Sequence, residues 1–194
     1  MFEGDLTIRG GKNIKIGRGV FVGKGVTLVA VKSGTIEIKD GCSLLSGIEL
    51  RAVDGKIEIG RGCTLNKSAT IKTADVNFTG RARVTLGDNV WVGQNSILEG
   101  EDIELGDEVI LAPFVHIMSN DHQRDLALKK IDLTKTVKSR PVRLKRNCWI
   151  GSGTRILKGV EIGECAIVGA GSVVTHSVED LQTVAGVPAR PLSV

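Results

Sequence analysis

The sequence predicts an all-β solenoid of about seven triangular coils, and three observations lead to this prediction. Aliphatic residues recur every six positions, in groups of three, along most of the 194 residues. Between these positions apolar residues alternate with a period of two, which is typical of strands and not of helices. The chain has 25 glycines but only four Phe, two Trp and no Tyr, so small aliphatic side chains must fill a narrow core.

The repeated aliphatic positions define the coils and point inward. The first five groups are Ile16, Val22, Leu28; Ile38, Leu44, Leu50; Ile59, Leu65, Ile71; Leu86, Val92, Leu98; and Leu105, Leu111, Ile117. The series resumes at Leu144 and continues through Ile150, Ile156, Ile162, Val168 and Val174. We therefore expect one domain over residues 1–194, with coils at about 14–117 and 142–174. At about 4.8 Å per coil the prism is roughly 30–35 Å long.

The second strand of each coil presents a row of outward residues, which becomes apolar in the last four coils. The row consists of Phe21, Ser43, Thr64, Trp91, Ile110, Trp149 and Ile167. An exposed apolar row of this size indicates a contact surface. A subunit interface is one interpretation; the other is that loop 118–141 or the C-terminal tail 175–194 folds over the row.

The one large interruption of the repeat, residues 118–141, is the expected place for chemistry. Long loops that project from a rigid scaffold commonly carry functional residues. This segment contains Asp121 and His122. A lone histidine in a polar loop is by default a surface residue, and its neighbourhood decides between the two interpretations.

Two motifs resemble those of the hexapeptide-repeat sugar O-acetyltransferases, which include maltose, galactoside and nodulation acetyltransferases and many capsule or O-antigen acetyltransferases. The first runs from Leu105-Gly106 through Ala112-Pro113 to His122. The second comprises residues 147–152, 162–163, 167–175 and 185–191, with the series Trp-Ile-Gly, Val-Gly-Ala-Gly-Ser-Val-Val-Thr and Ala-Gly-Val-Pro-Ala-Arg. The resemblance implies a left-handed parallel β-helix, a homotrimer and acetyl-CoA as the acyl donor.

The resemblance also implies site residues. His122 is the general base that removes a proton from the acceptor hydroxyl, and the backbone N–H of Ser152 receives the charge that develops on the thioester oxygen. Asn95 and Asp121 are expected near the acceptor. The residues expected to contact acetyl-CoA are Trp149, Gly151, Ser152, Ala170, Thr175, His176 and Arg190. For Gly151 and Ala170, plain corner geometry explains the small residue equally well, and His176 replaces a lysine that is usual in the family.

The expected reaction is therefore direct acetyl transfer to a sugar hydroxyl of a bacterial surface glycan, with no metal and no covalent enzyme intermediate. The alternative is N-acetylation of a nucleotide-linked amino sugar. A zinc site of the γ-carbonic anhydrase type is disfavoured because that site needs three histidines, and the fourth coil of this chain contains none to complete the set. Nucleic-acid binding is not expected, because the basic residues of the loop have no aromatic residues between them. Membrane insertion is not expected, because no apolar stretch approaches about 18 residues. The N-terminus lacks a signal-peptide pattern, so we expect a cytoplasmic protein.

Overall fold

The computed structural model describes residues 4–73, 82–121, 123–125, 129–132 and 139–192. Strands in these ranges, numbered β1–β26 in chain order, form one separate hairpin and three sheets, which are parallel except for the antiparallel pair of β25 and β26. Each coil places one strand in the first, second and third sheet in turn, so the three sheets are the sides of a triangular prism. The six-residue repeat and the seven coils predicted from it are confirmed.

The strand bounds show how evenly the coils stack. The first sheet consists of β2 (Ile14–Ile16), β5 (Thr35–Ile38), β8 (Gly55–Ile59), β11 (Ala82–Leu86), β14 (Asp102–Leu105), β19 (Val142–Leu144) and β22 (Glu161–Ile162). The second consists of β3 (Phe21–Val22), β6 (Ser43–Leu44), β9 (Thr64–Leu65), β12 (Trp91–Val92), β15 (Ile110–Leu111), β20 (Trp149–Ile150), β23 (Ile167–Val168), β25 (Thr183–Gly186) and β26 (Ala189–Pro191). The third consists of β1 (Leu6–Arg9), β4 (Val26–Val31), β7 (Glu49–Val53), β10 (Thr70–Thr73), β13 (Ile97–Gly100), β16 (His116–Met118), β21 (Arg155–Ile156) and β24 (Val173–Val174).

The core is a set of aliphatic stacks that run along the prism axis. Ile59 pairs in register with Leu86, and Leu86 pairs with Leu105, so like side chains meet in neighbouring coils. These residues are at most 2% exposed. Burying one such side chain stabilises the fold by about 1.5–3 kcal/mol, and the stacking repeats this gain in every coil.

Glycine at the first corner, between the first and second sheets, leaves room for the next coil. A Cβ on Gly17 would lie 2.5 Å from Asp40 Oδ1. That oxygen accepts a 2.7 Å hydrogen bond from the Arg18 backbone N–H. An aspartate therefore binds the backbone of the preceding coil, and a side chain on the glycine would displace it.

The sheets extend beyond the predicted coil ranges at both ends. Strand β1 pairs with β4 although it precedes residue 14, and β25 pairs with β23 within the tail predicted to start at residue 175. A terminal strand without the rest of its coil shows no six-residue series, so the sequence pattern cannot mark it.

The excursion 118–141 also contains an antiparallel hairpin, β17 (Gln123–Asp125) with β18 (Lys130–Asp132).

The structure adds one observation on membranes. Within the described ranges, no helix has the length and apolarity that a membrane crossing requires.

Candidate active site

The second corner, between the second and third sheets, brings several predicted site residues into one line. In coils four to seven this corner is formed by the pairs Gln94-Asn95, Pro113-Phe114, Ser152-Gly153 and Ala170-Gly171, which we call the corner ladder. The Phe114 N–H donates to Gln94 O at 2.9 Å, Gly153 N–H to Pro113 O at 2.9 Å and Gly171 N–H to Ser152 O at 2.8 Å. The ladder therefore joins Asn95, Ser152 and Ala170, three residues predicted to contact substrate or cofactor.

Three backbone donors on the corner ladder are unused among the described residues: that of Gln94 in coil four, and those of Ser152 and Ala170 in the adjacent coils six and seven. The N–H groups of Ser152 and Ala170 form no hydrogen bond with any residue that the structure describes, and both residues are exposed. They occupy equivalent positions in adjacent coils, so they are about 4.8 Å apart. Parallel donors at this spacing are suited to a carbonyl oxygen and to the amide oxygens of an extended ligand.

Stacking of the coils accounts for the glycine at position 151. A Cβ on Gly151 would lie 2.5 Å from Ala170 N and 2.8 Å from Val168 O. The Gly151 N–H donates to Val168 O at 2.8 Å and is not available to a ligand. Of the two explanations that the sequence left open for Gly151, corner geometry is sufficient.

The excursion that carries His122 is anchored at its base by Ser119. The buried hydroxyl of Ser119 accepts hydrogen bonds from the N–H of Glu101 (2.8 Å) and of Asp102 (3.1 Å). Its carbonyl oxygen accepts from Arg140 N–H at 2.9 Å, where the chain returns. The outgoing and returning segments are thus held together, and the anchor lies three residues before His122. His122 itself lies outside the described residues.

Asp121, the neighbour of His122, is held to coil six. Lys158 Nζ lies 3.3 Å from Asp121 Oδ2. The aspartate is mostly exposed, so the pair contributes little to stability. It does fix the direction in which the excursion leaves the prism.

We expect Ser119→Ala to lower the free energy of unfolding by about 1–3 kcal/mol, because two partly buried backbone donors lose their acceptor. Chemical denaturation measures the change. Ser139→Ala is the matched control: the Ser139 hydroxyl only donates to the Ser119 carbonyl oxygen, at 3.0 Å, and a smaller loss is expected. Equal stability of the Ser119 variant and the unmodified protein would contradict the anchoring role.

Trp149 belongs to an exposed apolar row on the second sheet. It pairs in register with Ile110 on one side and Ile167 on the other. The exposed fractions are 47% for Trp91, 44% for Ile110, 50% for Trp149 and 37% for Ile167. The C-terminal tail extends the second sheet through β25 and β26 and leaves this row exposed, so the suggestion that the tail covers it is wrong.

Thr175, His176 and Arg190, which the resemblance places beside the nucleotide phosphates of acetyl-CoA, lie on or next to different sheets. The Thr175 hydroxyl and His176 Nδ1 are 2.8 Å apart, just after strand β24 of the third sheet. Arg190 lies on β26, at the edge of the second sheet, with its guanidinium bonded to Ala189 O at 2.9 Å. Among the described residues no hydrogen bond joins Arg190 to Thr175 or His176.

Sequence reasoning missed a pair on the outer face of the third sheet, His116 with Arg155. Their strands are neighbours in register, and Arg155 Nη1 lies 3.2 Å from His116 Nδ1. Burial lowers the pKa of His116 below its ordinary value, and the nearby Arg155 guanidinium lowers it further. The six-residue register would have placed both side chains outward on the third strand, but it says nothing about their contact.

The cysteines have structural positions. Cys42, Cys63 and Cys148 are buried free thiols, and burial raises the pKa of Cys148 to about 12. A thiol that stays protonated at neutral pH is a poor nucleophile. In the part of the chain that the structure describes, no group of three or more His, Cys, Asp or Glu side chains is placed to hold a metal ion.

Comparison with known proteins agrees with this geometry. Residues 141–176 match the model of the bacterial transferase hexapeptide (six repeats), and residues 83–112 match that of the hexapeptide repeat of succinyl-transferase. The chain is 33% identical to the galactoside O-acetyltransferase of Escherichia coli (strain K12) over 111 residues, which are 54% of this chain and 53% of that protein. It spans about half of the length of the curated relatives it matches.

Solved structures show the same fold. The polySia-specific acetyltransferase NeuO has a TM-score of 0.73 at 20% identity, covering 99% of this chain and 86% of that one. A hexapeptide-repeat acetyltransferase of Vibrio cholerae O1 biovar El Tor, solved with acetyl coenzyme A, has a TM-score of 0.58 at 27% identity, covering 69% and 68%. The expected left-handed parallel β-helix is confirmed.

Proposed function

Because this chain belongs to the hexapeptide-repeat proteins of left-handed β-helix fold, we propose that it is an acetyltransferase that moves an acetyl group from acetyl-CoA to a hydroxyl of a sugar. The observation that carries the proposal is the corner ladder. It leaves the Ser152 and Ala170 N–H groups unbonded to described residues. Ser152 lies on coil six, which also carries Lys158, the partner of Asp121 beside His122. The similarity to an acetyltransferase solved with acetyl coenzyme A supports the choice of donor.

In the proposed reaction the acceptor hydroxyl is the group that needs activation, since a thioester is already reactive. Neutral His122 takes the hydroxyl proton while the oxygen attacks the thioester carbonyl. The Ser152 N–H donates to the oxyanion that forms. Collapse of this intermediate breaks the C–S bond, and the departing thiolate of CoA takes the proton from the His122 imidazolium. The step requires no metal and no covalent enzyme intermediate.

The cofactor is proposed to lie along the corner ladder. Trp149 and Gly151 line its pantetheine end, and the Ala170 N–H donates to one of its amide oxygens. Asn95 and Asp121 face the acceptor. Thr175 and His176 on one side, and Arg190 on the other, are two separate candidate contacts for the nucleotide phosphates, because they lie on different sheets.

We further propose a homotrimer in which the apolar row of Trp91, Ile110, Trp149 and Ile167 is buried. Ile110→Asp is expected to dissociate it, because each contact would then bury an unpaired charge. Light scattering coupled to size exclusion measures the mass. Ser43→Asp changes the same row in coil two, where it is polar, and should remain a trimer. A monomeric unmodified protein would contradict the interface.

Transfer itself is tested by incubating the protein with acetyl-CoA and a panel of sugars, nucleotide sugars and glycan fragments while following release of free thiol. We propose a surface-glycan sugar as acceptor, and the cytoplasm, where acetyl-CoA is made, as the place of reaction. Thiol release that depends on a hydroxyl acceptor is the expected result. Release only with amino sugars would support N-acetylation instead.

A further inference from the structure

Among the described residues, Arg155 has no acidic partner on the outer face of the third sheet. Arginines on and beside the first sheet are neutralised: Arg143 pairs with Asp102 at 2.7 Å and Arg146 with Glu108 at 3.1 Å. Arg155 contacts His116 instead, and no carboxylate of the described residues forms an ion pair with it. Its side chain is exposed, so its charge is available to a ligand.

His116 orients the Arg155 guanidinium. A guanidinium only donates hydrogen bonds, so His116 Nδ1 is the acceptor and the proton of the neutral ring is on Nε2. His116 Nε2 is buried and has no hydrogen-bond partner among the described residues. Burial and the adjacent cation keep the ring neutral at pH 7, which preserves the acceptor.

The position of Arg155 relates it to the proposed reaction. Coil six carries Ser152, Arg155 and Lys158 at intervals of three residues, each interval spanning at most about 11 Å. Ser152 is the proposed oxyanion donor, and Lys158 binds Asp121, the neighbour of His122. Arg155 therefore lies on the segment that connects the two halves of the proposed catalytic machinery.

The surroundings of Arg155 favour an anion. Within its outward row on the third sheet, the next residues are His116 and Ile97 on one side and Val173 on the other. Glu99 lies in coil four, two coils away from Arg155. It belongs to the adjacent outward row, where it is in register with Met118. Within the row of Arg155 the first carboxylate is that of Glu49, in coil two. An anionic group placed over Arg155 therefore meets no carboxylate from the same row in the adjacent coils.

We infer that Arg155, oriented by His116, binds a carboxylate of the acceptor, so that the acceptor is an acidic sugar such as a uronic acid residue. The inference rests on the proposed acetyl transfer. The planar guanidinium offers two parallel N–H donors to the two oxygens of a carboxylate. Arg155 is then a specificity residue that touches the acceptor, and His116 is a positioning residue.

The test compares pairs of acceptors that differ only in the carboxylate: the methyl glycosides of glucuronic acid and glucose, and those of galacturonic acid and galactose. Thiol release from acetyl-CoA gives KM and kcat for each. For the unmodified protein we expect KM to be about 10- to 100-fold lower for the acidic member of a pair, the usual effect of a hydrogen bond to a charged group. Arg155→Gln should remove this difference by raising KM for the uronate, with kcat nearly unchanged.

Three further variants separate the roles. Arg83→Gln removes an exposed arginine from the first sheet and should leave the preference for uronate intact. His116→Leu should raise KM for the uronate and not for the neutral sugar, whereas His116→Asn, whose amide oxygen replaces Nδ1 as acceptor, should restore a low KM. A merely structural role of His116 would change both members of a pair alike.

The inference and the proposed function fail in different ways. Acetyl-CoA could bind although no acceptor releases thiol. In that case isothermal titration of the CoA-loaded protein with each methyl glycoside still tests Arg155. The inference is supported if the unmodified protein binds uronates and the Arg155→Gln variant does not. Equal KM or equal binding for acidic and neutral members would overturn it. Stronger use of glucose 1-phosphate than of either uronate would overturn the assignment to a carboxylate.

Discussion

Replacing His122 with alanine is expected to lower kcat about 10²–10⁴-fold, the usual contribution of a positioned general base. The affinity for acetyl-CoA should change little, because the proposed cofactor contacts lie on the corner ladder and not on the excursion. The fold should persist, since His122 is outside the repeated inward positions that form the core. Steady-state kinetics with a hydroxyl acceptor, together with titration of acetyl-CoA, measure both quantities.

The control for the His122 variant is Lys135→Ala, another polar position in the same interruption of the repeat, which should retain normal turnover. An amino sugar that binds deprotonated needs no base, so His122→Ala would cost little with such an acceptor. The ratio of the losses for hydroxyl and amine acceptors thus distinguishes O-acetylation from N-acetylation. Turnover of a hydroxyl acceptor within a fewfold of normal would refute the role of His122.

Ser152→Pro is expected to lower kcat about 10²–10³-fold, the effect of removing one donor to an oxyanion. Proline has no backbone N–H, so this change deletes the proposed donor itself. The fold should tolerate it for two reasons. The Ser152 N–H makes no bond with the described residues, and Pro113 already occupies the equivalent position of the corner ladder in coil five.

Two variants keep the Ser152 test specific. Ser152→Ala removes the hydroxyl and retains the N–H, so its kcat should stay near normal. Ser46→Pro makes the same backbone change at the second corner of coil two, far from the proposed site, and should affect neither kcat nor thermal unfolding. If Ser152→Pro folds with unchanged stability and turns over within a fewfold of normal, the oxyanion assignment is wrong.

The sequence alone predicted the architecture because the repeat is a local property. An inward residue such as Leu111 is marked by its neighbours two and six positions away, and the same register places Trp149 and Ile110 outward. The repeat assigns no position to Cys165, which falls outside the inward series; in the structure it is the half-buried residue of a corner, at φ 55°.

Contacts between residues of different coils could not be predicted from the sequence pattern. A period of six determines whether a side chain points inward or outward, but it does not determine which residues that side chain contacts. The Ser119 anchor depends on two segments that leave and rejoin the prism. The need for glycine at position 151 depends on how closely Ala170 approaches in the next coil. Arg190 and Thr175 share a motif in the sequence, yet Arg190 lies on a strand of the second sheet and Thr175 follows a strand of the third.

What the sequence determined by itself was therefore the repeat, the three sheets, the outward apolar row and the segment expected to carry the base. What only the tertiary structure decided was which outward side chains share an environment. His116 and Arg155 are 39 residues apart, with the whole excursion between them, and only the register of β16 on β21 joins them. Hydrogen bonds act over about 3 Å, so such a pair becomes visible only when the coils are stacked.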